Sequence, residues 1–152
     1  MILNAQSVSS HRAEFALSLM HSNILIWLMP SWDHNGQRRT LADFKGKVVV
    51  VFFGFTQCPD VCPTSLGELA QAKALLGADG DRLQGLFVSV DPERDTPEVM
   101  REYMANFDPS FLALYTTPEA LPALAQSFKV YYKKVEGPTP TSYTMDHSAG
   151  SY

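Results

Sequence analysis

The sequence has no run of positive charge long enough to follow a phosphate backbone. Its twelve Lys and Arg residues are scattered, with Arg38–Arg39, Lys45 with Lys47 and Lys133–Lys134 as isolated pairs, and the net charge is −4. Nucleic acid is therefore excluded as a partner. Neither G-x-x-x-x-G-K-[ST] nor G-x-G-x-x-G occurs, which removes the usual nucleotide-binding loops. Internal repeats and low-complexity tracts are also missing. Cysteine is scarce: Cys58 and Cys62 are the only two in 152 residues, so any thiol chemistry rests on this one pair.

What is present suits one globular domain, with 45% hydrophobic and 18% charged residues. The first thirty residues differ from the rest. From Phe15 to Trp32 no side chain carries a fixed charge, a length at the lower limit of the roughly 17 to 25 residues that span a bilayer. His21, Ser22 and Asn23 interrupt the run, and no A-x-A-like cleavage site closes it. Two readings stand: an uncleaved membrane anchor, or a poorly packed or non-native N-terminal segment. Residues 1–32 are set apart on this basis, and the folded domain is expected over 33–152.

That domain begins with a polar stretch in which Asn35-Gly36 marks a tight turn between two short extended pieces. Lys47–Gly54 is rich in Val and Phe without alternation, as expected of a central strand buried on both faces. A cysteine-bearing loop follows. Pro63 suits a first helical turn, and Leu66, Leu69, Ala70, Lys73 and Leu76 continue with helical spacing to Gly77. A strand at 83–91, a helix from Thr96-Pro97 to Phe107, a short strand Phe111–Tyr115, a helix whose start Thr117 can cap, and a strand Val130–Glu136 complete the alternation. Asp146-His147 is expected to lead into one more strand, where the sequence stops, so the C-terminus is expected to be truncated. The fold class is α/β: βαβ units around a mostly parallel sheet with helices on both faces. The cysteine loop falls at the carboxyl end of a strand, where ligand sites concentrate.

Cys58 and Cys62, four apart at a helix start, are expected to favour thiolate, because the helix dipole and unpaired N–H groups stabilise negative charge. Two prolines and an acid in "CPDVCP" describe an exposed loop, against the bland reading of a plain disulfide or inert buried thiols. A thiol pair alone leaves redox and metal chemistry equally open. His147 returns late in the chain toward the same end of the sheet, whereas His11, His21 and His34 lie near the N-terminus without comparable context. Asp60, Asp91 and Asp95 read as solvated acids, with a lesser role in shaping the loop or guiding a partner. Asp146 is a candidate hydrogen-bond partner for the imidazole. Met145 reads as packing, and Met100 and Met104 read as core.

Three segments, "FFGFTQCPDVCPTSL", "FVSVDPERDTP" and "DHSAGSY", in this order and at these separations, closely resemble the SCO/SenC family of copper metallochaperones. The resemblance covers about residues 33 to 152 and implies a thioredoxin-like fold. It also implies that the family's two copper-binding cysteines fall on Cys58 and Cys62 and its copper-binding histidine on His147. Members carry an N-terminal membrane anchor and a short strand before the turn at Asp33–Gly36, where this sequence has "LMPSW"; their last strands and helix follow the histidine motif.

The donor chemistry agrees with that family. Two thiolates and an imidazole form a soft site that selects Cu(I) and takes Cu(II) if further oxygen or nitrogen donors complete it. Zinc accepts the same set with a water, so it stays a competitor. The expected function is delivery of copper to the dinuclear centre of the copper-bearing cytochrome c oxidase subunit, with exchange among other copper carriers. The alternative is a thiol-disulfide oxidoreductase in which Cys58 or Cys62 attacks a partner disulfide. A thioredoxin-like peroxidase is disfavoured, because it needs a peroxidatic cysteine in a local context that "TQCPDVCP" does not supply. One thiol pair and the uncharged N-terminal run point to an extracytoplasmic, periplasmic-side domain with membrane attachment.

Overall fold

Val48–Gly54, seven residues without a charge, form a strand (β3) in the computed structural model, which describes residues 31–139 and 142–152. It pairs in parallel with β4 (Leu83–Ser89) along its whole length, from Val48 opposite Leu83 to Gly54 opposite Ser89. β4 pairs in parallel with β5 (Leu112–Tyr115). Two short antiparallel strands, β1 (Ser31–Asp33) and β2 (Arg38–Arg39), extend the sheet to the order β2-β1-β5-β4-β3. The Asn35-Gly36 turn forms as the sequence suggests, with Gly36 in the left-handed region at φ 80° and Asp33 accepting the N–H groups of Asn35 and Gln37, each at 2.9 Å.

β3 comes last in the order of named strands, and its other side is met by the chain after His147, where Ser151 bridges Phe52 in antiparallel fashion and Val51 and Tyr152 exchange hydrogen bonds. The apolar run reports something else. Successive side chains of a strand point to opposite faces, and both faces are covered here: Phe52 joins a core with Phe87, Leu66, Met100 and Met104, while Val51, Phe53 and Phe55 join a second with Val88, Leu114 and Leu124. Hydrophobicity on both faces measures what lies above and below a strand, not how many strands flank it.

The first core seats α1 (Val61–Leu75) and α2 (Pro97–Met104); the second seats α3 (Leu121–Ser127), so helices cover both faces. α1 starts two residues before Pro63, which a first turn tolerates because N–H groups there have no intrahelical partner. α2 starts as expected, with the Thr96 hydroxyl accepting the Val99 N–H at 3.3 Å, but ends at Met104 rather than Phe107. Thr117 does not cap α3; it accepts the Ala120 N–H in the preceding turn, and Pro122 stands in the first turn of the helix. Lys129, at φ 56°, ends this segment.

The chain then forms a separate two-stranded antiparallel unit, β6 (Tyr132–Glu136) with β7 (Tyr143–His147), in which Tyr132 faces His147 and Glu136 faces Tyr143. His147 closes β7, and the chain beyond it reaches β3, where Ser151 bridges Phe52 and Val51 and Tyr152 exchange backbone hydrogen bonds. The uncharged run Phe15–Trp32 lies outside the described residues except for Ser31 and Trp32, which belong to β1. Among the described residues no helix is long and apolar enough to cross a membrane.

Candidate metal centre

Three elements end at one place. β3 runs into the loop that carries Cys58, whose N–H donates to the Phe55 carbonyl at 3.2 Å. Cys62 lies in the first turn of α1, and His147 is the last residue of β7. One donor atom from each of Cys58, Cys62 and His147 lies within 4.8 Å of the others, and this is the only such His/Cys/Asp/Glu group among the described residues. The Cys62 Sγ to His147 Nε2 distance is 3.8 Å.

The imidazole is fixed by its other nitrogen. His147 Nδ1 stands 2.9 Å from the Ser148 carbonyl oxygen. A carbonyl can only accept, so in this contact Nδ1 carries the proton and Nε2 offers its lone pair toward the thiols. The partner is therefore a backbone carbonyl and not Asp146. Period-2 alternation explains the correction: Met145 and His147 share the inward face of β7, and Asp146 points to solvent opposite Lys133. Phe52 and Phe55 stand edge-on to the His147 ring, with centroids at 6.4 and 5.8 Å.

The two thiols are not alike. Cys58 is partly exposed, and although burial pushes its pKa up, hydrogen bonds from the Asp60 and Cys62 N–H groups, the Cys62 thiol and the Val61 N–H hold it below the ordinary value. Cys62 is fully buried, and burial pushes its thiol up to about 12, reinforced by Cys58 and by Asp95. The expectation of two thiols favouring thiolate in an exposed loop therefore holds for Cys58 alone. The N–H groups at the helix start serve Cys58, while the Cys62 side chain turns into the core beside Leu66 and Phe87.

Gly54 makes room for that placement. A Cβ at Gly54 would stand 2.6 Å from the Cys62 sulfur and 2.8 Å from the Phe87 ring, so only glycine lets the sulfur rest on the strand. Sequence reasoning passed over this residue, although a lone glycine closing an apolar strand is a signal of close approach.

Asp91 and Asp95 are not solvated; each is only 2% exposed. Asp95 accepts hydrogen bonds from the Ser89 and Thr56 hydroxyls, both at 2.6 Å, and from the Thr56 N–H at 3.3 Å. Burial nevertheless raises its pKa above the ordinary carboxylate value. Its role is the lesser one foreseen, shaping the start of the cysteine loop. Asp60 is exposed as expected. Tyr103 was missed altogether: its hydroxyl is buried without a hydrogen-bond partner, and burial, then the charges of Cys62, Cys58 and Asp95, raise its pKa.

The SCO1/SenC family pattern matches residues 31–152. The chain belongs to the SCO1/SenC family. The copper-bound ScoI of Bradyrhizobium japonicum shares 44% identity with it and superimposes at a TM-score of 0.77, over 82% of this chain and 78% of that one. Copper-bound yeast Sco1 matches at 34% identity and a TM-score of 0.71, over 79% and 67% of the two chains. The mitochondrial SCO2 homolog of Bos taurus is 40% identical over 122 residues, 79% of this chain and 46% of the relative. A SCO2-like protein of Rickettsia felis is 36% identical over 121 residues, 79% and 59% of the two chains. The chain thus spans about half the length of these last two relatives. The fold is the thioredoxin-like α/β arrangement of the family's solved structures.

Proposed function

We propose that this member of the SCO1/SenC family is a copper metallochaperone that holds the metal with the Cys58 and Cys62 sulfurs and His147 Nε2, and passes it to the dinuclear copper centre of a cytochrome c oxidase subunit. The observation that carries this reading is the convergence of the three donor atoms within 4.8 Å, in a family whose Bradyrhizobium japonicum and yeast members have been solved with copper bound. Three donors leave the metal under-coordinated, so an acceptor's ligand can enter before these leave. The soft sulfur pair favours Cu(I), and His147 extends the range to Cu(II). The copper-binding unit is residues 33–152. Its single thiol pair and the uncharged run Phe15–Trp32 support a place on the extracytoplasmic side of a membrane. The test is titration with Cu(I) against a competing chelator: one copper per chain, lost with Cys58→Ser, is expected, and stoichiometric binding by that variant would overturn the reading.

A second reading has its own observation, the asymmetry of the thiols. In a thiol-disulfide reductase the exposed Cys58 thiolate attacks one sulfur of a partner disulfide, forming a mixed disulfide and releasing the partner's other sulfur as thiolate. Cys62, on losing its proton, then attacks the Cys58 sulfur, closing a Cys58–Cys62 disulfide and freeing the second partner thiolate. Two electrons pass from the dithiol to the partner. Retained reduction of a model disulfide by a chain that binds no copper would favour this reading.

A further inference from the structure

The strand that carries His147 is held to the body of the molecule by side chains and not by a ladder. β7 pairs only with β6, so no ladder fixes its position against the five-stranded sheet. Beyond His147 the chain rejoins that sheet, where Val51 and Tyr152 exchange N–H···O bonds of 2.8 and 2.9 Å. Ahead of His147, Met145 is buried in the core with Val90 and Leu124, and polar attachment comes from side chains of the turn that follows β4. Arg94 Nη1 donates to the Tyr143 carbonyl at 2.8 Å and to Gln57 Oε1 at 3.0 Å. Its Nε donates to Asp91 at 2.5 Å, and its guanidinium carbon lies 3.6 Å from the centroid of the Tyr143 ring. The Tyr143 hydroxyl donates to the other Asp91 oxygen at 2.7 Å.

Gln57 precedes Cys58, and Tyr143 opens the strand that His147 closes. One guanidinium therefore touches both the loop of a thiol and the strand of the imidazole. A planar fork that stacks and donates in fixed directions transmits position in a way that a flexible ammonium does not. Swinging it away would strand the buried Asp91 carboxylate without its charge partner. The remaining nitrogen, Nη2, is buried with no hydrogen-bond partner. An arginine free to choose would turn this nitrogen to water, so the other contacts dictate where the guanidinium lies.

We infer that Arg94, gripped by Asp91 and stacked on Tyr143, is a positioning residue that latches the β6–β7 hairpin so that His147 faces the thiols, and thereby sets the imidazole's share of metal binding without touching the metal. This rests on the three-donor copper reading above. Two thiolates suffice for Cu(I), whereas Cu(II) depends on nitrogen and oxygen donors, so the latch governs Cu(II) far more than Cu(I).

The test uses the full chain with Arg94→Met, Arg94→Lys and Tyr143→Phe, each alone and combined with His147→Ala. Cu(I) and Cu(II) affinities are measured by competition, and nitrogen hyperfine coupling by electron paramagnetic resonance of the Cu(II) form. Arg94→Met should weaken Cu(II) by about 10-fold, within the range that loss of a ligand's supporting partner causes, change Cu(I) by less than about threefold, and reduce the nitrogen coupling. In the His147→Ala background it should add nothing. Arg94→Lys should not restore the wild-type values. Wild-type Cu(II) affinity and coupling in Arg94→Met, or an equal loss with and without His147, would overturn the inference. If Arg94→Met does not fold, Arg94→Lys, which keeps a charge beside Asp91 but loses the planar fork and its stack on Tyr143, carries the same test, and wild-type values there overturn it too. Should His147→Ala alone leave both affinities unchanged, the three-donor reading falls and takes this inference with it; a chain sensitive to His147→Ala but not to Arg94→Met rejects the latch alone.

Discussion

The cysteine loop and the β6–β7 hairpin deliver donors to the same point by different physical means. The thiols are built into the body: β3 is paired to β4 through seven residues, α1 starts within the loop, and Cys62 is packed against Gly54 in a fully buried position. His147 comes from a separate hairpin. Its strand pairs only with β6, seats Met145 in the core, and is tied by Arg94 and Tyr143 on one side and by Ser151 and Tyr152 on the other. The dithiol is thus set by local chain and core packing, whereas the position of the imidazole depends on how a separate hairpin is mounted on the body.

The comparison breaks most visibly at the thiols. Cys58→Ser or Cys62→Ser should abolish both stoichiometric copper binding and disulfide exchange, because a hydroxyl neither ionises near neutral pH nor offers a soft donor. Chelator competition and reduction of a small disulfide check the two halves, and survival of either activity would separate the dithiol from it.

His147→Ala should weaken copper binding by at least about 10-fold, since even the loss of a ligand's hydrogen-bond partner costs roughly 10- to 100-fold. The dithiol should still oxidise and reduce, as measured by a redox titration of the thiols. Unchanged copper affinity with impaired reduction would reverse the assignment and make the protein a reductase.

Gly54→Ala probes the rigid side without touching a donor. The new methyl would meet Cys62 Sγ at 2.6 Å and Phe87 at 2.8 Å, so the sulfur or the strand must shift, at a stability cost of about 1 to 3 kcal/mol typical of overpacking. Urea denaturation reads the cost, and copper affinity should fall with it. A chain as stable as wild type with unchanged copper binding would show that the sulfur's seat is not confined.

The smallest expected effect is on pH dependence. Burial lifts Cys62 from the ordinary 9.0 to about 12, so the folded chain keeps this proton after the unfolded chain has released it. The Cys62 contribution to stability is whole below about pH 9 and is lost as pH rises toward about 12. Cys58 has the opposite sign: its lowered pKa favours the fold above the unfolded value, and that contribution is lost as pH falls through the folded one. Cys62→Ser should therefore show a flatter decline in unfolding free energy between about pH 9 and 11 than wild type. Equal slopes would mean that the two thiols titrate alike.

Much of this protein was legible in order along the chain. Strand, helix and turn followed from apolar runs, prolines at helix starts and Asn35-Gly36, because those signals act within a few residues. Cys58, Cys62 and His147 were likewise visible as donors, since ligand chemistry belongs to residue type. What the sequence could not express is which neighbours a residue meets across space. It did not show which segments flank β3, because apolar residues on two faces record coverage above and below and not beside. It read Asp91 and Asp95 as solvated, because an acid's burial depends on whether Arg94, Ser89 and Thr56 arrive to satisfy it. It treated Cys58 and Cys62 as equivalent, although the loop into α1 leaves one partly exposed and the first helical turn sets the other onto Gly54. Donor identity was determined by the sequence alone; the burial of Cys62 against Gly54 and Phe87, the meeting of His147 with the thiols and the Arg94 tie between loop and hairpin were decided only by tertiary structure, because each depends on how separate segments pack and not on residue type.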